Sequence, residues 1–325
     1  MASISLDQIV RVYKNRTDGF VNVAQKADCN MFQIPVIIVK GQKPGPTLLL
    51  EAATHGDEQE GTEAIHIMTE KYADGNFAGT IVAVPALNTE AFAQFSRTSI
   101  TDGANLNRVY PGNTFSYITN RIAAVYEDRI AANVDYAICF HGGGQVLHLE
   151  PIVAYKPGNS ELAKKSQGMA NAFNFKYQWA GDDVPFGGVV TEMLERHNIP
   201  FCGPECGSQC GRLYDREKNV QLDADGIRNV MAYLGMIDPV KYEETEKIHV
   251  KLRYLHSKNG GIHKILKKQN EFVKKGEVLT QITDIFGNVI EEIVAPFDGI
   301  VDGFWSVSVI RPGDWSSLFM EVVNK

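Results

Sequence analysis

The sequence has little positive charge, no long apolar run and no recognisable secretion signal. Its 32 Lys and Arg are outnumbered by 39 Asp and Glu, and the net charge is −7. This balance argues against nucleic acid or an anionic membrane as a partner. No apolar stretch reaches the roughly 20 residues of a membrane-spanning helix. The basic start and apolar core of a signal peptide are missing from the first residues, MASISLDQIVRVYKN, so we expect a cytoplasmic protein.

Cysteine is also scarce, with five residues in 325. The number is odd, so at least one thiol is unpaired within the chain. Cys202, Cys206 and Cys210 do not have the CxxC spacing of structural zinc sites. We predict that the cysteines are reduced and pack as small buried hydrophobic residues.

The length and the pattern of apolar residues predict two domains. After an irregular start, short apolar segments alternate with helical spacing, which predicts a mostly parallel sheet with helices on both faces. The expected strands lie near Val36–Val39, Leu48–Ala53, Thr80–Pro85, Tyr136–Phe140, Ile152–Tyr155 and Ile199–Cys202, and the expected helices span Gln59–Tyr72, Phe115–Asn133, Glu161–Phe173 and Gly188–His197.

The pattern changes at the charged segment Glu243–Lys247, beyond which short strands are separated by glycine turns. Two segments there, Phe272–Leu279 and Val309–Trp315, each combine an apolar pair, a turn in which Gly precedes an acid, and a further apolar residue. We therefore predict an α/β domain over residues 1–245 and a small all-β domain over residues 246–325, built from two similar halves.

The chain is organised around the segment PTLLLEAATHGDEQEG at residues 46–61. A buried strand followed by a helix places His55 and Glu58 on a turn at the carboxyl end of the strand, where open α/β sheets bind ligands. An imidazole and a carboxylate three residues apart can both reach one Zn²⁺. The alternative is a polar turn whose acidic residues favour the helix N-terminus.

A catalytic zinc site needs a third protein ligand. His141 ends another buried strand and is followed by three glycines, which would leave room beside a metal. Neighbouring parallel strands would bring His55 and His141 to the same edge of the sheet. His148 is the rival ligand, but it lies inside a probable strand and is more readily explained by packing.

Other polar residues could take part in chemistry. Glu205 lies at the end of a further predicted strand, with a glycine two residues away on each side, and is a candidate base. From composition alone, it could equally be a solvent-exposed acid of a loop. A long polar stretch, residues 86–113, contains Arg97, Asn107 and Arg108, and such loops are usually functional when ordered. The guanidinium of Arg108 suits a carboxylate, but each arginine alone could equally be a solvated loop residue.

Five features, in this order, resemble the succinylglutamate desuccinylase/aspartoacylase family, which is related to the zinc carboxypeptidases. They are HGDE at 55–58, Arg97, NLNRVYPG at 105–112, His141 and the stretch of Glu205-Cys206-Gly207. The similarity covers nearly the whole chain. It implies a phosphorylase/hydrolase-like mixed sheet flanked by helices, followed by a barrel-sandwich-like β domain that narrows the active-site entrance.

The resemblance also implies the roles of individual residues. His55, Glu58 and His141 would be the ligands of one Zn²⁺ per chain, and Glu205 would be the general base. Arg97 would polarise the scissile carbonyl, and Asn107 with Arg108 would hold the carboxylate of the substrate. One position departs from the family, which commonly has Asp two residues before its last ligand histidine, whereas this chain has Cys139.

We therefore expect a zinc-dependent deacylase that hydrolyses the linear amide bond of a small N-acyl amino acid or related N-acyl amine. A zinc carboxypeptidase acting on short peptides is the nearest alternative, because the same clamp would suit a peptide C-terminus. A non-catalytic binding protein on this fold is a second alternative. Enzymes of this kind often assemble, which leaves a homo-oligomer open.

Overall fold

The computed structural model describes residues 4–180, 187–208 and 215–323, and Cys210 lies outside these ranges. Strands β1 to β17 span Gln8–Tyr13, Arg16–Gln25, Met31–Lys40, Lys43–Glu51, Ala78–Val84, Tyr136–Cys139, Leu147–Tyr155, Tyr177–Trp179, Phe201–Ser208, Ile248–His256, Gly261–Ile265, Phe272–Val273, Val278–Thr283, Val289–Val294, Gly299–Trp305, Val309–Ile310 and Trp315–Val322. Helices α1 to α6 span Glu60–Lys71, Thr89–Ala93, Ile118–Arg129, Glu161–Phe173, Val190–Arg196 and Arg216–Tyr233. Two 3-10 turns span Leu106–Arg108 and Ala131–Asn133.

Both faces of the central sheet are buried, as the continuous apolar run of β4 predicts. Leu48 and Leu50 pack into one core with α1, α4 and α6. Leu49, on the opposite face, packs into a second core with α3 and α5. The sheet therefore lies between two helical layers, and the ends of its strands remain available for a site.

The sheet is mixed, with a parallel centre. Strands β5, β4, β6 and β9 are parallel neighbours in that order, whereas β7 runs antiparallel to β9. A prediction of a mostly parallel sheet is thus correct only for the centre. The start of the chain, expected to be irregular, instead forms β1 and β2, which pair antiparallel and extend the sheet through β3.

Strands from the last part of the chain continue the same sheet and close part of it into a ring. The order β7-β8-β10-β17-β15 returns to β7, because β15 pairs with both β17 and β7. We call these five strands the closed ring. A separate four-stranded antiparallel sheet is formed by β14, β13, β11 and β16. The domain boundary between residues 245 and 246 stays a prediction.

The two similar segments of the C-terminal part have the same local structure. Gly276 and Gly313 both have positive φ, at 86° and 90°, which glycine adopts without steric cost. The acid after each glycine accepts a backbone N–H at 2.8 Å, Glu277 from Lys274 and Asp314 from Arg311. The sequence similarity therefore reflects a repeated turn.

The cysteine prediction is largely confirmed for the described residues. Cys139, Cys202 and Cys206 are free and buried, while Cys29 is free and exposed. None of the helices in the described ranges combines the length and the apolar character needed to span a membrane.

Candidate active site

The turn after β4 has a specific backbone shape that presents His55. Ala53 is fully buried and has φ of +53°, a left-handed conformation that costs a non-glycine residue free energy and is common at functional sites. Gly56 passes so close to the backbone of Ala91 in α2 that a side chain would collide with it. Packing on both sides of the turn therefore fixes the position of His55.

His55, Glu58 and His141 form a compact group, with ligand atoms all within 4.8 Å of one another. Nδ1 of His55 lies 2.8 Å from Oε1 of Glu58, and Nδ1 of His141 lies 2.9 Å from Oε2. The two imidazole rings are 5.2 Å apart between centroids. Glu58 and His141 are 83 residues apart along the chain. The two parallel strand ends thus bring the candidate ligands together, as expected.

The parallel register of β4 and β6 explains how His141 reaches this group. Glu51 pairs with Cys139, so the two ligand-bearing turns begin at the same level of the sheet. His141 then forms a parallel bridge with Glu205. Gly142 lines the cavity beside His141, and close packing is a further reason for the glycines, because a side chain at Gly142 or Gly143 would collide with carbonyl oxygens of neighbouring backbone.

Asn105 is a member of the site that was not singled out from the sequence. Its Oδ1 lies 3.1 Å from Nε2 of His55 and also accepts the N–H of Asn107 at 2.9 Å. A hydrogen bond to Nε2 leaves Nδ1 of His55 for a metal and fixes the ring orientation. The sequence feature that could have identified Asn105 as a site residue is its position at the start of the NLNRVYPG stretch.

The pKa values of the group reflect its burial and the pairing of Glu58 with the two histidines. Although burial opposes its charge, His55 and His141 hold the pKa of Glu58 well below its usual range. Burial, helped by the charge of Arg97, lowers the pKa of His55 to about 4. Burial also disfavours a charge on His141, but the hydrogen bond and charge of Glu58 outweigh it and raise the pKa to about 9.

Arg97 and Glu205 lie on two sides of this group. Arg97 donates to Oε1 of Glu58 at 2.8 Å, and its guanidinium lies 5.7 Å from the ring centroid of Trp315. Burial raises the pKa of Glu205 to about 7; the neighbouring Glu58 adds to this shift, whereas His141 opposes it. A carboxyl group with this pKa can both accept and release a proton near neutral pH.

Asn107 and Arg108 lie on the 3-10 turn after Asn105. Oδ1 of Asn107 accepts the N–H of Val190 at 2.8 Å, which leaves its NH₂ group for a ligand. Arg108 donates to the carbonyl of Asn107 at 2.5 Å. Burial, together with the charge of Arg97, lowers the pKa of Arg108 to about 10, so the residue is charged at neutral pH.

All seven residues predicted from the sequence line one cavity of about 150 Å³. The C-terminal part, which the resemblance placed at the entrance, also contributes a wall of the cavity, although its residues were not named from the sequence. This wall includes Leu252, Tyr254, Asp302, Trp315 and Leu318. The rings of Tyr254 and Trp315 contact each other at a tilt of 44°, with centroids 4.8 Å apart.

His148, the rival metal ligand, does not belong to the group. Its Nδ1 lies 2.6 Å from the side-chain oxygen of Gln269, and it is absent from the cavity lining. The residue ties β7 to the loop before β12, which agrees with a packing role.

The donor set fits a catalytic metal ion. Two imidazoles and one carboxylate, all buried or partly buried, match the three protein ligands of many catalytic zinc sites, with further space in the cavity for water or substrate. Opposite Cys139, at the position where the family commonly has Asp, lies a fully buried acid of the neighbouring strand, Glu51, which accepts a hydrogen bond from Thr54 at 2.5 Å.

Comparison with known proteins identifies similar chains. The family model for the succinylglutamate desuccinylase/aspartoacylase catalytic domain matches residues 44–234. An N-alpha-acetyl-L-2,4-diaminobutyric acid deacetylase from Halomonas elongata is 26% identical over 299 residues, which cover 90% of this chain and 86% of that protein.

Solved structures show the same architecture. The product-bound structure of the ectoine utilization protein EutE (DoeB) from Ruegeria pomeroyi has a TM-score of 0.86 at 24% identity, covering 98% of this chain and 97% of that one. A metallo-carboxypeptidase from Burkholderia cenocepacia has a TM-score of 0.51 at 14% identity, covering 66% and 64%. These likenesses concern the fold, and the second is limited to part of each chain.

Proposed function

Because the chain belongs to the succinylglutamate desuccinylase/aspartoacylase family of hydrolases, we propose that it is a zinc-dependent deacylase of small N-acyl amino acids. The observation that carries the proposal is the meeting of the His55–Glu58–His141 group with Glu205 in one small cavity. The relative from Halomonas elongata is a deacetylase of an N-acetylated amino acid, and the same class of substrate is proposed here.

His55, Glu58 and His141 would hold one Zn²⁺ per chain. When bound, the ion supplies a Lewis acid that polarises the acyl oxygen and acidifies water near neutral pH. Asn105 keeps His55 in the required orientation through its Nε2 atom.

Glu205 is proposed as the general base. It takes a proton from the water whose oxygen attacks the acyl carbon, and it returns that proton to the amide nitrogen as the C–N bond breaks. The products are a carboxylic acid and an amine, and transfer of the remaining proton of the water gives a carboxylate and an ammonium ion. Burial, which raises the pKa of Glu205 to about 7, suits a residue that must accept and then donate a proton in one cycle.

Arg97, Asn107 and Arg108 are proposed to bind and orient the substrate. The guanidinium of Arg97, placed beside Glu58, would donate to the acyl oxygen as negative charge develops on it, an effect often worth about 3 kcal/mol. The NH₂ group of Asn107 and the guanidinium of Arg108 would hold the carboxylate of the amino acid, since planar forks of donors match carboxylate oxygens.

The C-terminal β domain, residues 246–325, is proposed to restrict the entrance to small substrates. Tyr254 and Trp315, which contact each other with tilted rings, both line the cavity. A wall in this position supports a deacylase over a carboxypeptidase, because a peptide chain would need an open groove. We propose a cytoplasmic location, and homo-oligomerisation stays a prediction.

Metal content and substrate preference test the proposal together. Elemental analysis of protein purified without chelators should give about one zinc per chain, lost in His141→Ala and retained in His66→Ala, an exposed control on α1. The metal-loaded protein should hydrolyse N-acetyl or N-succinyl amino acids faster than it trims a peptide with a free C-terminus. Absence of zinc after it is supplied, or faster peptide trimming, would overturn the proposal.

A further inference from the structure

The cavity extends along β9 past Glu205, into a part that the proposed proton transfer does not use. Phe201, Gly203 and Glu205 all line the cavity, as alternate residues on one face of a strand can. Because Glu205 forms a bridge with His141, Gly203 and Phe201 lie successively farther from the histidine group. The cavity therefore continues beyond the residues to which chemistry is assigned.

One level of the sheet forms the bottom of this inner part. Gly203 of β9 pairs with Ala154 of β7, which in turn pairs with Trp179 of β8. Cys139 of β6 lies at the same level, because β6 and β9 keep one register on both sides of it. We call Cys139, Gly203 and Ala154 the floor. All three line the cavity, and all three are small, so the sheet is recessed here beside the indole ring of Trp179.

The floor borders space that the protein itself does not fill. A Cβ atom at Gly203 would have the Cβ of Ala154 and the carbonyl oxygen of Cys139 as its nearest neighbours, both at 3.6 Å. Among the buried glycines of the described residues, Gly203 alone would accept a Cβ atom without a contact shorter than 3.4 Å. Ala154 is only partly buried although its strand has a neighbour on each side. Since protein cores leave few voids, this accessible surface indicates room for a ligand.

The surface around this space is apolar. The larger side chains that line the cavity here are Ile152, Trp179, Val190 and Phe201. Cys139 stands at a position where the family commonly has Asp, and burial raises the pKa of its thiol well above the usual range. The floor therefore carries no charge at neutral pH.

Other charged groups of the cavity are paired or held uncharged. Lys156 and Glu195, which line it near Ala154 and Val190, form an ion pair with each other at 2.7 Å. Asp302 lies at a bulge of β15 against β17, and burial raises its pKa well above the usual range, which favours the neutral acid. A charged group entering this part would lose water without gaining a partner, whereas an apolar group would not.

The position of the carboxylate clamp indicates which half of the substrate faces the floor. Oδ1 of Asn107 accepts the N–H of Val190 at 2.8 Å, so the clamp is joined to the start of α5. Val190 packs in the same core cluster as Cys139 and Phe201. An amino acid held through its carboxylate by Asn107 and Arg108 would thus lie beside the floor, with its Cα substituent next to it.

We propose that the floor receives the side chain of the amino acid half of the substrate, so that the preferred substrates are N-acylated amino acids with an aliphatic side chain. This inference rests on the proposed deacylase function and names the class of amino acid that the site prefers. Burial of an aliphatic side chain against apolar walls is favourable in proportion to the area removed from water. Gly203 is the specificity-determining residue, because a side chain there would occupy the space that the substrate needs.

Substrate comparison tests this with the metal-loaded wild-type protein. N-acetyl-L-leucine, N-acetylglycine, N-acetyl-L-aspartate and Nα-acetyl-L-2,4-diaminobutyrate offer an aliphatic, an absent, an anionic and a cationic side chain. We expect kcat/KM for the leucine substrate to exceed each of the others by about tenfold or more. An equal or higher value for the glycine substrate or for either charged substrate would overturn the inference and leave the deacylase function standing.

Substitution of Gly203 locates the effect. Gly203→Val fills the space above the floor and should reduce the leucine-to-glycine ratio of kcat/KM to within about threefold, mainly through KM for the leucine substrate. Ala27→Val, which adds the same side chain at an exposed turn, should keep the wild-type ratio. Gly203→Ala adds a single methyl group at ordinary contact distance and should lower the ratio by about threefold, so it decides the matter if Gly203→Val does not fold. A wild-type ratio in folded Gly203 variants would contradict the proposal.

Binding without turnover separates this inference from the proposed function. Calorimetry with free L-leucine and free glycine should show tighter binding of leucine by wild type and similar binding of both by Gly203→Val. If no N-acyl amino acid is hydrolysed yet leucine binds preferentially, the deacylase proposal fails and the role of the floor stands. Equal binding of the two amino acids by wild type would contradict that role.

Discussion

Glu51 and Cys139 lie opposite each other in the parallel pair of β4 and β6, where burial and the neighbouring Glu51 raise the pKa of the Cys139 thiol. Thr54 donates a hydrogen bond to Oε1 of Glu51, and Oε2 has no hydrogen-bond partner among the described residues. Each histidine-bearing turn begins just after this pair, so the pair joins the two strand ends that lead to His55 and His141.

This pairing predicts that Asp will not be tolerated at position 139. Cys139→Asp would bury a second acid against Glu51 and should lower the free energy of unfolding by about 3 kcal/mol. Cys139→Ala removes one small buried atom without adding an acid and should cost about 1 kcal/mol. Urea denaturation measures both changes. Adding Glu51→Gln to Cys139→Asp should recover part of the loss; a Cys139→Asp variant as stable as wild type would refute the repulsion.

Glu205→Gln tests the proposed base. The amide cannot accept the proton of water, so kcat should fall by about 10²- to 10⁴-fold, while zinc remains bound because Glu205 is outside the ligand group. Turnover of an N-acetyl amino acid and elemental analysis are measured on the same sample. Glu217→Gln, at an exposed acid on α6, serves as the control. Wild-type turnover in Glu205→Gln would remove this residue from the base role.

Arg108→Lys tests the proposed carboxylate clamp. Lysine keeps the charge but loses the planar fork of donors, so KM for an N-acetyl amino acid should rise by about tenfold with a smaller change in kcat. An N-acetyl amine without a carboxylate should show no comparable change in KM. Arg129→Lys, whose arginine pairs with Asp7 on the surface of α3, is the matched control. Similar losses for both substrates would argue against a clamp.

The raised pKa of Asp223 predicts how the stability of the fold depends on pH. It is buried on α6, with Oδ1 lacking a partner in the described ranges, and burial together with Glu60 raises its pKa well above the usual range. The folded protein therefore binds the proton more tightly than the unfolded chain. Its contribution to stability is fully present below the unfolded pKa and is lost as pH rises through the folded pKa.

Asp223→Asn should therefore stabilise the protein at pH 8 more than at pH 5, by about 1–3 kcal/mol. Urea denaturation at the two pH values measures the difference. Asp238→Asn, at an exposed acid after α6, should change neither value. A variant that loses stability equally at both pH values would show that Asp223 is charged and paired in the folded protein.

Sequence patterns located the histidine-bearing turns because buried strands have a strong local signal. Leu48 to Leu50 are apolar on both faces, and a polar turn follows at once, so the position of His55 could be predicted. Strand β1 gave no such signal, since residues such as Ile9 and Val12 are exposed and the strand is stabilised by its pairing with β2.

The resemblance implied that the C-terminal part narrows the entrance to the site, but the residues that form this wall of the cavity could not be predicted. Tyr254 and Asp302 reach the cavity through pairings between distant strands, β8 with β10 and β7 with β15. Neither residue lies in a local pattern that marks a site. The bulge at Asp302 depends on the relative register of β15 and β17, which the local sequence does not determine.

The closed ring has a consequence for biosynthesis. Residues Leu147–Leu149 of β7 pair with β15, which begins at Gly299 and leaves the ribosome on the order of ten seconds later. During that interval the nascent chain exposes an unpaired strand edge, a known starting point for aggregation. The histidine-bearing turns can form early, but the cavity is completed only after β17, which contributes Trp315 and Leu318 to its lining, has been synthesised.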